Sequence, residues 1–345
     1  MGEKVAVYGI GNPLIDVTAQ AEDSELDELG LNKGTMQLID TARGNEILAR
    51  IDDREKTYSC GGACPNTMIT LAALGVRSAL AGMIGDDELG EIYNDRLKDE
   101  GVVSHLAVHP GSTGSCIVLV TPDYERTMST RLGVCQEFSA ENVEHDSVRV
   151  AEYFYFTGYM WDTAPQKAAL NAAIESARAA GTTVVFDVAD PFAVDRHRDD
   201  FLALLSGKVD VVLANRDEAH LLLGYDDPRS AAVDLAKRCR IAAVKNGAQG
   251  SFIASSEGDC IEIGTYPVDT VDSNGAGDNY SAGFLYGMVQ DHSLADSARI
   301  AAYVAAQIVK RIGAQFDEEG ARELRSGVEQ GVWREINEAS NKESV

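Results

Sequence analysis

Basic residues are scarce in this chain. Its 30 Lys and Arg stand against 55 Asp and Glu, a formal net charge of −25 with a pI near 4.5. Nucleic acids and anionic membranes select basic faces, so neither is an expected partner, and a solvated acidic surface is the plainer reading. A polyanionic substrate must then meet a local positive site inside a repulsive global field. Long apolar runs are missing too, which leaves no candidate membrane span. The opening Met1-Gly2-Glu3-Lys4 lacks the pattern of a secretory leader, and a cytoplasmic location is expected. Cysteine is sparse: Cys60, Cys64, Cys116, Cys135, Cys239 and Cys260 follow no framework spacing and read as reduced, mostly buried thiols. Cys60 and Cys64 are the one close pair; no second Cys or His pair matches them, so no metal is expected there.

What is present is an ordinary hydrophobic fraction, 45% of 345 residues, enough for a sizeable core in one large domain or two smaller ones. The apolar run Val5-Ala6-Val7-Tyr8-Gly9-Ile10-Gly11 reads as a buried strand and turn. Beyond residue 60, helix patterns over 65–74, 86–100, 166–180, 217–223 and 231–238 alternate with strand patterns over 78–84, 153–156, 184–187, 209–213 and 242–244. Ile300, Val304, Ile308 and Ile312 recur every four residues and predict a last long helix closed by Gly313. This rhythm implies an α/β fold: a doubly wound, mostly parallel sheet with helices on both faces. Segments 13–40 and 102–131 break it and look β-rich, with a hairpin over 116–128. They are assigned to a small β lid, and 1–12, 41–101 and 132–345 to the large domain. The polar end, 338–345, is expected to fray.

The densest chemistry lies in Val271-Asp272-Ser273-Asn274-Gly275-Ala276-Gly277-Asp278-Asn279. Gly275, Ala276 and Gly277 let successive backbone N–H groups converge, and a helix from about Asn279 adds its positive end. Such a site suits the charge that develops when a phosphoryl group moves. Asp278, ionised at neutral pH, would take a proton from an attacking hydroxyl. Alone, the run is equally a glycine turn with an Asp helix cap.

In context it resembles the Asp-Thr-x-Gly-Ala-Gly-Asp motif of the ribokinase (PfkB-type) carbohydrate kinase family, with Ser273 for Thr and, at Asn274, the residue seen in its adenosine kinase branch. Gly61-Gly62-Ala63-Cys64-Pro65-Asn66 with Leu74-Gly75 is similar to the family's two-glycine motif. Asn215-Arg216-Asp217-Glu218 resembles its Asn-x-x-Glu, and Lys245-Asn246-Gly247-Ala248-Gln249-Gly250 its nucleotide loop, where Lys245 and Asn246 replace Val-Thr. The likeness spans residues 9–316 in family order.

It implies a ribokinase-like fold, ATP and Mg²⁺ as cofactors, and a small-molecule nucleoside or sugar as partner. Asp278 would be the base, Gly275, Ala276 and Gly277 the anion hole, and Asn215 and Glu218 the residues that place Mg²⁺, directly or through water. Helix capping is the plain alternative for the last pair. Lys245, Gly247 and Gly250 would meet the nucleotide, as would Arg126 from the lid hairpin; an exposed lysine and a solvated arginine are the bland readings. Gly9-Ile10-Gly11-Asn12-Pro13-Leu14-Ile15-Asp16 and the stretch 302–316 resemble adenosine kinases. Asn12 and Asp16 carry the amide and carboxylate that fix vicinal ribose hydroxyls, with Gly61, Gly62 and Asn66 completing the clamp. A dinucleotide fold is excluded: the third glycine is absent and Pro13 follows. Gln37, Tyr159 and Trp161 are candidates to face a base. Asp187 and Asp190 stand where the likeness leads one to expect neutral residues. The expected activity is phosphorylation of adenosine to AMP; a sugar kinase, or an inactive ligand-binding homologue, is the alternative. The oligomeric state is left open.

Overall fold

The computed structural model describes residues 4–123 and 125–335; the polar end expected to fray, and Tyr124 in the hairpin turn, lie outside them. The chain runs β1 (Val7–Ile10), β2 (Leu14–Gln20), α1 (Asp23–Glu28), β3 (Met36–Leu38), α2 (Thr41–Arg50), β4 (Thr57–Gly61), α3 (Ala63–Ala73), β5 (Ser78–Gly85) and α4 (Glu88–Asp99). Three strands follow, β6 (Val103–His109), β7 (Gly114–Val120) and β8 (Arg126–Arg131), then α5 (His145–Val150), β9 (Tyr153–Thr157), α6 (Ala164–Ala180), β10 (Thr183–Asp187) and α7 (Pro191–Leu205). The last third holds β11 (Val211–Asn215), α8 (Arg216–Leu223), α9 (Pro228–Leu235), β12 (Ile241–Lys245), β13 (Ser251–Ser255), β14 (Cys260–Ile263), α10 (Ala276–Val289), α11 (Leu294–Ile308) and α12 (Glu318–Glu329).

Nine strands form the large sheet in the order β14-β13-β12-β11-β10-β9-β1-β5-β6, all pairs parallel except the two that β13 makes with β12 and β14. Its strands are apolar on both faces, because helices cover both. Alternate residues still go to opposite cores: Val7, Val185 and Val211 pack on the α3, α10 and α11 side, and Tyr8, Phe186 and Val212 on the α6 and α7 side. In the second core Phe156 stacks on Phe154 along β9 and on Phe186 across to β10, with ring centroids 5.5 and 5.0 Å apart. The strand order reverses between β9 and β1, so the crevice at their carboxyl ends is where a ligand site is expected.

A second, five-stranded sheet runs β3-β8-β7-β2-β4. The sequence division into domains shifts here. β4 belongs to the small sheet, paired antiparallel with β2, and Arg131 of β8 reaches Asn45 of α2, so 41–61 joins it. β6 belongs to the large sheet, parallel to β5. Composition reports that a segment is β-rich but not which edge it joins, since the partner strand is remote in sequence. The last long helix also ends sooner than its four-residue period suggests: α11 stops at Ile308, and Ile312 is 70% exposed.

Candidate active site

A cleft of about 1510 Å³ opens between the two sheets, over the carboxyl ends of β1, β9, β10, β11 and β12. The residues named from the sequence for catalysis, ribose, nucleotide and metal all line it: Asn12, Asp16, Gly61, Gly62, Asn66 and Arg126, then Asn215, Glu218, Lys245, Gly247 and Gly250, and Gly275, Ala276, Gly277 and Asp278.

The 275–278 turn is built by its glycine. Gly275 takes φ 71° as the N-cap of α10, and a Cβ there would lie 2.5 Å from that of Ala314. The helix therefore begins at Ala276, not at Asn279, and Asp278 sits in its first turn. Asn279 anchors this end, donating to the carbonyls of Gly275 and Ala314 at 2.9 Å and accepting from Thr70 at 2.8 Å.

Asn66 Nδ2 donates to Asp278 Oδ2 at 2.9 Å. Burial pushes the Asp278 carboxyl up to about 7; Asn66 opposes the shift, Asp187 adds to it and Lys245 opposes it. Acid and carboxylate thus coexist at neutral pH, where the sequence alone implies a fully ionised group. Asn66 in turn accepts from Gln315 Nε2 at 3.1 Å.

On the acceptor side, Gly62 brings the start of α3 against β1. At φ 102°, a Cβ there would meet the Asn12 carbonyl at 2.2 Å. Asn12 accepts from Gln166 Nε2 at 2.7 Å. Asp16 is pushed up to about 6 by burial, with Arg126 pulling it back. Arg126 is no solvated hairpin residue: its Nη1 lies 3.1 Å from Asp272 Oδ2, joining the small sheet to the turn before α10.

Asn215 and Glu218 form a reciprocal capping box on α8. The Glu218 oxygens accept from Asn215 N at 2.7 Å and Asn215 Nδ2 at 2.6 Å, while Asn215 Oδ1 accepts from Glu218 N at 2.8 Å. The capping alternative is therefore realised, within the cleft wall. Burial raises Glu218 to about 7. Lys245 is not the exposed lysine of the bland reading; it pairs with buried Asp187 at 3.3 Å. Of the three base candidates, only Tyr159 lines the cleft. Trp161 is in the core, bonded to Asp200, and Gln37 is displaced by strand alternation, with Met36 and Leu38 facing the cleft in its place. Among the described residues, no cluster of three or more His, Cys, Asp or Glu has the arrangement of a metal site, and no helix is long and apolar enough to cross a membrane.

The model of pfkB family carbohydrate kinases matches residues 35–320. The chain belongs to this family. Among solved structures it is similar to the adenosine kinase from Sinorhizobium meliloti (34% identity, TM-score 0.82, covering 94% of this chain and 100% of that one). It is likewise similar to a probable sugar kinase protein from Rhizobium etli CFN 42 (32% identity, TM-score 0.83, covering 96% and 99%). A 5-dehydro-2-deoxygluconokinase of Shouchella clausii is 24% identical over 301 residues, 84% of this chain and 91% of that protein. As a PfkB kinase the chain is a phosphotransferase acting on a hydroxyl of a sugar or nucleoside, with ATP as co-substrate.

Sequence reasoning missed the support around these groups. Asp187 drew notice only as an unexpected acid, and Asp272 stood in the motif without a role; Gln166 and Gln315 carried no signal.

Proposed function

We propose that this kinase phosphorylates adenosine to AMP, with Asp278 taking the proton from the 5′ hydroxyl as the phosphoryl group moves in line from ATP. One observation carries the reading. Asp278, at the open end of α10, shares a single cleft with the polar pair Asn12 and Asp16 and with an apolar wall of Met36, Leu38 and Met128. The exposed rings of Tyr159 and Phe192 line the same cleft, a setting for a flat base attached to a ribose. The 34% identity to an adenosine kinase over 94% of the chain supports the same choice.

In this reading Asn12, Asp16, Gly61 and Gly62 hold the ribose, and Asn66 orients the Asp278 carboxylate. The N–H groups of the 275–277 turn meet the phosphoryl charge, with Lys245 and Arg126 beside it. Gly247 and Gly250 shape the nucleotide wall. Asn215 and Glu218 suit Mg²⁺: both are hard oxygen donors, and the capping bonds leave carboxylate lone pairs for metal-bound water. Bound there, Mg²⁺ neutralises phosphate charge. Movement of the small sheet over the cleft excludes water.

Asp162, Asp190 and Arg196 favour a second reading, a sugar or sugar-acid kinase, since they line the same cleft with groups suited to hydroxyls and carboxylates. A coupled assay of ATP consumption with adenosine, inosine, ribose, fructose and a keto-deoxy sugar acid decides. Adenosine is expected to have the highest kcat/KM, and a tenfold advantage for any sugar overturns the nucleoside assignment.

A further inference from the structure

Asp187 ends β10 and Lys245 ends β12, with β11 and its terminal Asn215 between them. Lys245 Nζ stands 3.3 Å from both Asp187 oxygens, and the side chains are 13% and 2% exposed. Asp187 is itself held: Ser281 Oγ lies 2.5 Å from its Oδ2, and the Tyr155 hydroxyl 3.3 Å. The same Ser281 Oγ is 3.0 Å from the Gly277 carbonyl, which ties the acid to the first turn of α10. A Cβ built on Gly277 would be 3.5 Å from Lys245 Nζ, so the ammonium stands against the turn that carries Asp278. Stability alone gives little reason for such a pair, because a packed apolar pair at a buried site is ordinarily as stable. An ammonium has three N–H donors and Asp187 offers two oxygens, leaving a donor for the cleft that Lys245 lines.

We propose that Lys245 touches the phosphoryl group as it passes from ATP to the acceptor, and that Asp187 is the positioning residue that holds it there. The proposal rests on the kinase reading of the cleft and not on which acceptor is used. In the step, the acceptor oxygen bonds to the γ-phosphorus as the bond from that phosphorus to the β–γ bridging oxygen breaks. The electron pair leaves with ADP, and the hydroxyl proton passes to Asp278. Lys245 keeps its proton and offers fixed positive charge to the phosphoryl oxygens. Burial works against that charge, but Asp187 from β10, Glu218 from α8 and Asp278 from α10 outweigh it and keep the ammonium protonated. The cation thus supplies the local positive site that a chain of net charge −25 needs for ATP.

The test uses full-length protein, saturating ATP and the acceptor that the wild type turns over fastest. Lys245→Met should lower kcat at least about 100-fold with the acceptor KM within about twofold, the mark of an interaction made in the transition state. Lys245→Arg should restore at least about a tenth of the rate, since it keeps the charge in a different shape. Asp187→Asn should lower kcat by about 10- to 100-fold and add little to Lys245→Met, because its effect passes through the lysine. If Lys245→Met does not fold, the double variant, which removes both charges together, should fold and show the same loss of about 100-fold. Normal kcat in either lysine-less protein, or losses that multiply in the double variant, overturns the proposal. If no acceptor in the panel is turned over, the acceptor assignment has failed; slow hydrolysis of ATP by water is then the readout, with the same losses expected and the same results decisive.

Discussion

Asn66 and Asp278, 212 residues apart in sequence, meet at 2.9 Å, so the amide at the start of α3 orients the carboxylate at the start of α10. Asp278→Asn should keep this contact and the fold while lowering kcat by roughly 10²–10⁴-fold, the range for a lost general base. Steady-state kinetics with nucleotide binding measured in parallel checks it; near-normal turnover removes Asp278 from the chemistry.

The rise of Asp278 to about 7 sets the pH profile. kcat/KM should increase with pH through a limb centred near 7. Asn66→Ala should move that limb upward, because the lost hydrogen bond favours the ionised form. Glu218 also titrates near 7, so the limb should persist in Glu218→Gln. Stability has the opposite sign. The folded state binds the Asp278 proton more tightly than the unfolded state, so this group's contribution is fully present below the ordinary aspartate range and is lost as pH rises to about 7. The Tm advantage of Asp278→Asn over wild type should therefore grow between pH 4 and pH 7.

Glu218→Gln keeps an oxygen for the α8 capping box and removes a negative charge from the cleft wall. It should raise the Mg²⁺ concentration needed for half-maximal rate, with a modest loss of Tm because the new amide nitrogen faces one of the two Asn215 donors. An unchanged Mg²⁺ titration in the folded variant removes Glu218 from the metal's surroundings.

Asp16 should discriminate ribose from 2′-deoxyribose. A buried polar group left unpaired loses about 1–3 kcal/mol, roughly a 5- to 150-fold preference for adenosine over 2′-deoxyadenosine. Asp16→Ala should erase much of that ratio, and equal ratios in the two proteins would take Asp16 off the ribose.

Gly62→Ala should lower stability by about 1–3 kcal/mol, since φ 102° is strained for alanine and its Cβ would strike the Asn12 carbonyl. Denaturant unfolding measures this directly, and a neutral result would mean that the turn yields at no loss.

Much of the architecture was legible because burial leaves a local imprint. The apolar runs over 184–187, 209–213 and 242–244 mark strands of a sheet covered on both faces, and the glycines of 275–277 mark a turn before a helix. The imprint fails where neighbours decide. The half-buried β6 pattern fits either sheet, the four-residue period carries past Ile308 into exposed Ile312, and the amphipathic α12 beyond it goes unassigned.

The site divides in the same way. Residue types and spacing along the chain determined which groups could do chemistry: Asp278 beside a glycine turn, Asn215 three residues before Glu218, Asn12 four before Asp16. Only the tertiary structure decided their condition. It set Asn66 on Asp278, tied Arg126 to Asp272, buried Lys245 on Asp187 and raised two carboxyls to about 7. Spacing describes one stretch of chain, whereas desolvation and charge pairing depend on every group within a few ångströms, and in a doubly wound fold those groups arrive from strands and helices far apart in sequence.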